Sequence, residues 1–284
     1  MSHILELPTW YYRQFPCDYS KDERATEGIL GWAQRVCRVP KDQTALVLMH
    51  IWNIGFRGGP AWGPGAPQQL RRDAQEFVGR CVKTFTTFMP PVLEAARARG
   101  VPIVHVASGR SYAERHPQYR RTLSEVATPE PALPAGAIRP KDADVPTTDE
   151  RFGTGFSKVP ESDALDFPEG LGPEGDDLLV LTTHEMNTLL RNRKIWHLTY
   201  CGFAINWCLW HSPGGMVDMR RLGYTCGCIK QCTVAVESKE SVGTLANHAY
   251  SMWKTAHMFG FVMDDHDFIQ ACRGVFPGES RDSA

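Results

Sequence analysis

A series of short, unbroken apolar runs, each set beside a stretch with helical spacing, constrains the fold of this chain more than any other feature. Thr44-Ala45-Leu46-Val47-Leu48-Met49 comes first, and Val101-Pro102-Ile103-Val104-His105-Val106, Leu178-Leu179-Val180-Leu181, Ile195-Trp196-His197-Leu198-Thr199 and Tyr224 to Lys230 follow. A strand wetted on one face alternates apolar and polar residues, so runs without that alternation need cover on both faces. Helices are at hand to supply it. One ends at Arg97-Ala98-Arg99-Gly100, another lies near Asn187 to Asn192, a third over Leu209 to Leu222 and a long one over Ser238 to His257. The expected fold class is α/β, a three-layer αβα sandwich around a mostly parallel sheet. Reactive groups in such sheets gather at the carboxyl ends of the strands, which singles out His50, Ala107, Ser108, Thr182 to Glu185, and Cys201 to Cys208.

Size and charge narrow the function classes. With 284 residues, 42% of them apolar, and a formal net charge of -1, the chain can bury one large core or two small ones and carries no charge field for nucleic acid. No apolar run approaches the roughly 18 residues that a bilayer span needs. The N-terminus also lacks the basic-then-apolar pattern of a secretory signal, so a cytoplasmic protein with no membrane or nucleic-acid partner is expected. Nine cysteines at irregular spacing point to reduced thiols rather than a disulfide framework.

Along the chain, residues 1–42 carry Trp10, Tyr11, Tyr12 and Phe15 without a strong strand or helix period. They read as an ordered arm lying across the domain or a partner subunit. Residues 43–275 form the α/β domain, and 276–284 a tail. Inside the domain, 107–176 is long and rich in Pro, Gly and charge, which suits a functional lid or an oligomer contact, or equally a solvated insertion with no role.

Cys208 stands where a strand breaks into a helix, and Gly202 permits the sharp turn before it. A thiol there lies near unpaired backbone N–H groups and the positive end of a helix dipole, which favour both a thiolate and an oxyanion. The competing reading is a small buried thiol capping a core helix.

Four segments in order resemble the isochorismatase-like superfamily of cysteine hydrolases, which includes nicotinamidases and N-carbamoylsarcosine amidase. Thr44 to Asn53 resembles the opening strand, Pro91 to Val106 the first helix and second strand, Cys201-Gly202 through Cys208 the nucleophile segment, and Leu222-Gly223-Tyr224 the approach to the next strand. The resemblance implies a Cys-Asp-Lys triad that cleaves a C–N bond through a thioester, beside a backbone oxyanion hole and an unusual cis peptide. Cys208 matches the nucleophile, and the N–H groups of Cys208 and of Ala204 or Ile205 match the oxyanion hole. The other two members differ. His50 stands in place of the aspartate, and Thr182-Thr183-His184-Glu185-Met186 occupies the turn where the lysine is expected. The two-histidine metal pattern of nicotinamidases is absent after His50.

Three interpretations follow. His50 replaces aspartate as base for Cys208, with Glu185 or His184 orienting it. Alternatively, His50, His184 and Glu185 with Cys208 bind a transition metal. In the third, the triad has decayed and the fold serves as a binding or oligomer-forming module. The leading expectation is a cysteine hydrolase of a small amide or carbamoyl compound, with no cofactor and with assembly as a dimer or tetramer. Trp52, Phe56, Trp62 and Trp207 are read as pocket walls or core, and Asn53, Arg110 and Tyr112 as further substrate contacts. Cys226-Gly227-Cys228 with Cys232 is read as strand packing rather than a zinc site, since only one close pair is present.

Overall fold

The computed structural model describes residues 3–14, 29–60, 68–131, 145–152 and 163–275. In chain order they form β1 (Ile4–Arg13), β2 (Gly31–Pro40), β3 (Thr44–Met49), α1 (Gln68–Thr87), α2 (Met89–Arg99), β4 (Ile103–Val106), α3 (Arg110–Ala113), α4 (Pro117–Glu125) and α5 (Thr148–Phe152). Then come β5 (Leu178–Val180), α6 (Thr183–Asn192), β6 (His197–Phe203), α7 (Cys208–His211), α8 (Met216–Arg221), β7 (Thr225–Val234), α9 (Ala246–Met258), β8 (Gly260–Met263) and α10 (Asp265–Arg273).

The strands make one eight-stranded sheet in the order β2-β1-β8-β7-β6-β3-β4-β5. From β8 to β5 every pairing is parallel, and only β1 runs antiparallel to its neighbours β2 and β8. All six residues of β3 are buried, as an unbroken apolar run requires when both faces are covered. Its alternate side chains divide between two cores. Leu46 and Leu48 join Phe85, Val92, Leu93, Phe268 and Ala271 from α1, α2 and α10. Ala45, Val47 and Met49 join Met186, Leu189, Leu209, Met219 and Met252 from α6 to α9. Those two cores, one on each face, are the three-layer arrangement.

Two expectations need correction. The N-terminal segment, expected as an ordered arm without strand or helix period, is a pair of strands. Its β1 and β2 pair over their full ten-residue length and continue the sheet through Trp10 opposite Val262. Leu5, Leu7 and Thr9 face the core at strand spacing, but Pro8 and the aromatic run from Trp10 to Tyr12 hide that period. Pro8 is tolerated because β1 is laddered there on the β2 side, with β8 reaching only Trp10. The helix expected from Leu209 to Leu222 is also split into α7 and α8, with Ser212-Pro213-Gly214-Gly215 between them. The long segment 107–176 contains the helices α3, α4 and α5, while Trp62 and the tail 276–284 lie outside the described residues. Cys226 and Cys228 are fully buried on one face of β7, packed into the core under α9. Among the described residues no helix is long and apolar enough to cross a membrane.

Candidate active site

The sheet order reverses between β3 and β6. From β3 the chain steps outward to β4 and β5, then returns to the other side of β3 as β6. A crevice at the carboxyl ends of the strands forms at such a switch point, because the connections leave in opposite directions. His50 follows β3 directly, and Cys208 follows β6 after a short turn. The last paired residues are Met49 and Gly202. Gly202 has a φ of 117°, and a Cβ built on it would stand 2.1 Å from the Met49 carbonyl oxygen. Only glycine lets the two strand ends approach this closely.

His50 takes a left-handed backbone, φ 53°, while its N–H donates to Val106 O at 3.0 Å. Its ring lies flat on Trp52, with centroids 5.5 Å apart and planes 13° from parallel. Trp52 in turn meets Phe203 edge-on at 4.8 Å and donates from Nε1 to Ser108 Oγ at 2.8 Å. Ser108 N–H donates to the Tyr112 hydroxyl at 2.8 Å. The ends of β3, β4 and β6 are thus tied around one indole. The imidazole is 6% exposed, and its buried Nδ1 has no hydrogen-bond partner. Burial pushes its pKa down from 6.5 to about 4, with no charged neighbour offsetting the shift. His50 is therefore neutral at pH 7. An unpaired buried polar atom of this kind costs about 1–3 kcal/mol.

Cys208 is half-buried at the first position of α7 and packs against the core under α6 to α9. The turn that carries it is clasped by Asn206. That side chain donates to Val236 O at 2.8 Å and accepts from Val236 N–H at 2.9 Å, fastening the turn to the chain leaving β7. Within the turn, Trp207 and Leu209 N–H both donate to Ala204 O. Ile205 N–H donates to Val234 O at 2.9 Å and is not free for an oxyanion. The expected hole is corrected accordingly: among the described residues the N–H groups of Ala204 and Cys208 have no partner. The Phe203–Ala204 peptide is cis, where the resemblance implies one. Because α7 is only four residues long, its dipole is weaker than that of the long helix expected from the sequence.

Among the described residues no hydrogen bond joins the Cys208 sulfur to His50. The ring stacks on Trp52, which packs against the core that holds α1, α2 and α10, and Cys208 packs against the core on the other face of the sheet. Glu185 and His184 do not orient His50 either. Glu185 closes a capping box with Thr182, accepts from Leu181 N–H at 2.6 Å and takes the Tyr119 hydroxyl at 3.0 Å. Its carboxylate is spent on the start of α6. His184 Nε2 instead meets Thr128 O at 3.0 Å. Among the described residues no three His, Cys, Asp or Glu side chains gather as a metal would need, so His50, His184 and Glu185 do not compose the metal alternative.

Most expected substrate contacts have structural duties. Asn53 exchanges hydrogen bonds with Asp166 and donates to Ala164 O, strapping the 163–167 segment to the chain after β3. Phe56, partly buried, stacks on Phe85 against the core, and Tyr112 is fully buried within it. Arg110 pairs on the surface with Glu114 at 3.2 Å. Trp207, 43% exposed beside the thiol, meets Phe152 of α5 edge-on at 5.7 Å, which brings the long insertion to the nucleophile turn. Asn206 and Phe152 were not singled out in the sequence. A lone amide inside a turn gives no spacing signal, and Phe152 lies far from Cys208 in the chain.

No family model and no curated protein matches the chain. Solved structures do. A cysteine hydrolase from Pseudomonas syringae pv. phaseolicola 1448A aligns at 16% identity over 84% of this chain and 96% of its own, with a TM-score of 0.47. A putative isochorismatase from Burkholderia xenovorans LB400 aligns at 17% over 83% and 89%, TM-score 0.45. N-carbamoylsarcosine amidase from Thermoplasma acidophilum aligns at 15% over 78% and 96%, TM-score 0.41. At these values the likeness transfers no residue role, substrate or activity to this chain.

Proposed function

We propose that this protein is an isochorismatase-like hydrolase that cleaves a C–N bond of a small amide or carbamoyl compound, with Cys208 as nucleophile. The observation that carries the reading is a half-buried thiol whose own N–H, together with that of Ala204, is left unpaired at the switch point of the sheet. The sulfur adds to the carbonyl carbon, and the two N–H groups take the oxygen that becomes negative. Collapse of that adduct expels the amine and leaves a thioester on Cys208. Water then releases the acid and restores the thiol. The thiol proton goes to the departing amine, and in this reading neutral His50 relays it once substrate has drawn ring and sulfur together.

Acid-quenched mass spectrometry across a panel of small primary amides and N-carbamoyl compounds tests this. An acyl adduct on Cys208, lost in Cys208→Ser together with at least about a thousandfold of turnover, is the expected result. No adduct and no turnover over the whole panel rejects it.

A second reading, a catalytically silent member that binds a small ligand, is favoured by a specific observation: His50 is unbonded to Cys208 and held neutral by burial, while Glu185 is committed to its helix. Ligand binding without any adduct would select it.

A further inference from the structure

Far from the crevice, the sheet ends in a strand that is long, regular and unpaired along its outer side. β2 is last in the strand order, and among the described residues no backbone hydrogen bond takes the edge that faces away from β1. Its ten residues pair with β1 without a bulge, so the outer N–H and C=O groups form an even row. Such a row is a template for another strand, and natural edges are ordinarily blunted by bulges, lysines or an interior proline. β2 carries none of these. Its one proline, Pro40, is the last residue, and Trp32 and Val36 stay 43% and 42% exposed. The hairpin is also held in place: Trp32 meets Tyr12 edge-on at 5.5 Å, and Tyr12 meets Trp253 of α9 edge-on at 5.9 Å. We infer that the outer edge of β2 is an interface with a second copy of this chain, the two β2 strands pairing antiparallel about a twofold axis at Val36 and joining the two sheets into one.

Geometry and charge select both the partner and the register. Only alternate residues of a strand point their backbone groups to a given edge, so a strand pairs with its own copy about a residue and not between two. A twofold at Arg35 would set two guanidinium groups directly opposite each other, which is unfavourable. One at Cys37 would pair only residues 34–40 and leave Trp32 and Ala33 overhanging. At Val36 the pairing covers residues 32–40: Val36 faces Val36, Arg35 faces Cys37, Gln34 faces Arg38 and Trp32 faces Pro40. No two charges are directly opposed there. Arg38 is matched within its own chain by Glu6 at 3.0 Å, which leaves the strand little charge to call for an acidic partner. The far edge of the sheet does not compete, because β5 spans only Leu178–Val180 and cannot match a ten-residue strand. Pairing of β2 with itself is isologous, so the assembly closes as a dimer and does not grow into a filament.

Sedimentation velocity of the full-length protein over about 1–100 µM tests the pairing, and a dimer is expected in that range. Val36→Lys sets two ammonium groups face to face at an exposed position and is expected to raise the dimer dissociation constant at least about tenfold. Cross-linking reads the register. In a Cys17→Ser/Cys37→Ser/Cys208→Ser background, which keeps the buried thiols, Val36→Cys places the two introduced thiols on Cα atoms about 4.5–5.5 Å apart, within disulfide reach. Mild oxidation is expected to give a covalent dimer. Trp32→Cys in the same background stands more than about 20 Å from its counterpart along the ladder and is expected to give none. Should Val36→Lys fail to fold, the cross-link still decides. A monomer over the whole range, a dimer indifferent to Val36→Lys in a folded protein, or no cross-link from Val36→Cys overturns the inference.

Discussion

The ends of β3 and β6 are hydrogen-bonded neighbours that present their side chains in opposite ways. After β3 the chain twists into a left-handed residue and lays His50 on an indole, nearly sealed from water. After β6 it turns through a segment clasped by Asn206 and leaves Cys208 half-open, leaning on the other core. A parallel sheet brings two strand ends together, but the loops decide whether their side chains meet. Here the strand ends meet, while among the described residues no hydrogen bond joins the imidazole to the sulfur at rest.

The contact between these two ends is broken most severely by Gly202→Ala. The added methyl would lie 2.1 Å from the Met49 carbonyl oxygen, a backbone atom with no room to move, at a φ of 117° that alanine avoids. A loss of more than about 4 kcal/mol is expected in urea denaturation, or failure to accumulate folded protein. A loss under about 1 kcal/mol would mean that the strand ends are not pressed together as described.

The burial of His50 makes a sharper prediction about one side of the comparison. Its pKa is 6.5 when exposed and about 4 in the fold. Between those values the unfolded chain takes up a proton that the folded protein refuses, so stability falls as pH drops through this window. Above pH 6.5 both states are neutral and nothing is lost; below about pH 4 the loss is complete. The shift corresponds to about 3 kcal/mol. His50→Asn, which cannot titrate, is expected to show a pH 7 to pH 4 stability difference smaller than that of wild type by about this amount, read from urea unfolding at both pH values. Acid-sensitive groups elsewhere, including fully buried His105 on Asp177, are common to both proteins and cancel. Equal differences would show that the imidazole is solvated or already paired with a charge.

Much of the scaffold was legible because burial on two faces leaves an unmistakable trace. Thr44 to Met49 is both an unbroken apolar run and, residue for residue, β3. The strand ends, and hence His50 and the turn before Cys208, followed from those runs. The edge hairpin β1–β2 was not legible, since Pro8 interrupts a period that tertiary contact with β8 still enforces at Trp10. Side-chain engagement was the least legible, because it depends on partners distant in sequence. Asn53 answers to Asp166, Tyr119 to Glu185, and Trp52 to Ser108.

Glu185 shows how a local signal competes with a chemical one, and it makes the mildest of these predictions. Thr182-Thr183-His184-Glu185 has the spacing of a capping box ahead of the apolar face of α6, and a carboxylate near a nucleophile also looks like catalytic equipment. The hydrogen bonds assign it to the first role: Leu181 and Thr182 N–H and the Tyr119 hydroxyl all donate to it. Removing it strands those donors at the end of β5, on the far side of β4 from the reactive pair. Glu185→Ala is expected to cost about 2 kcal/mol in urea unfolding. The iodoacetamide labelling rate of Cys208 should stay within about twofold of wild type, because the clasp by Asn206 and the open N–H groups are untouched. A labelling rate that drops about tenfold or more while the fold persists would tie Glu185 to the thiol and move the boundary between the two halves of the site from β3 to β5.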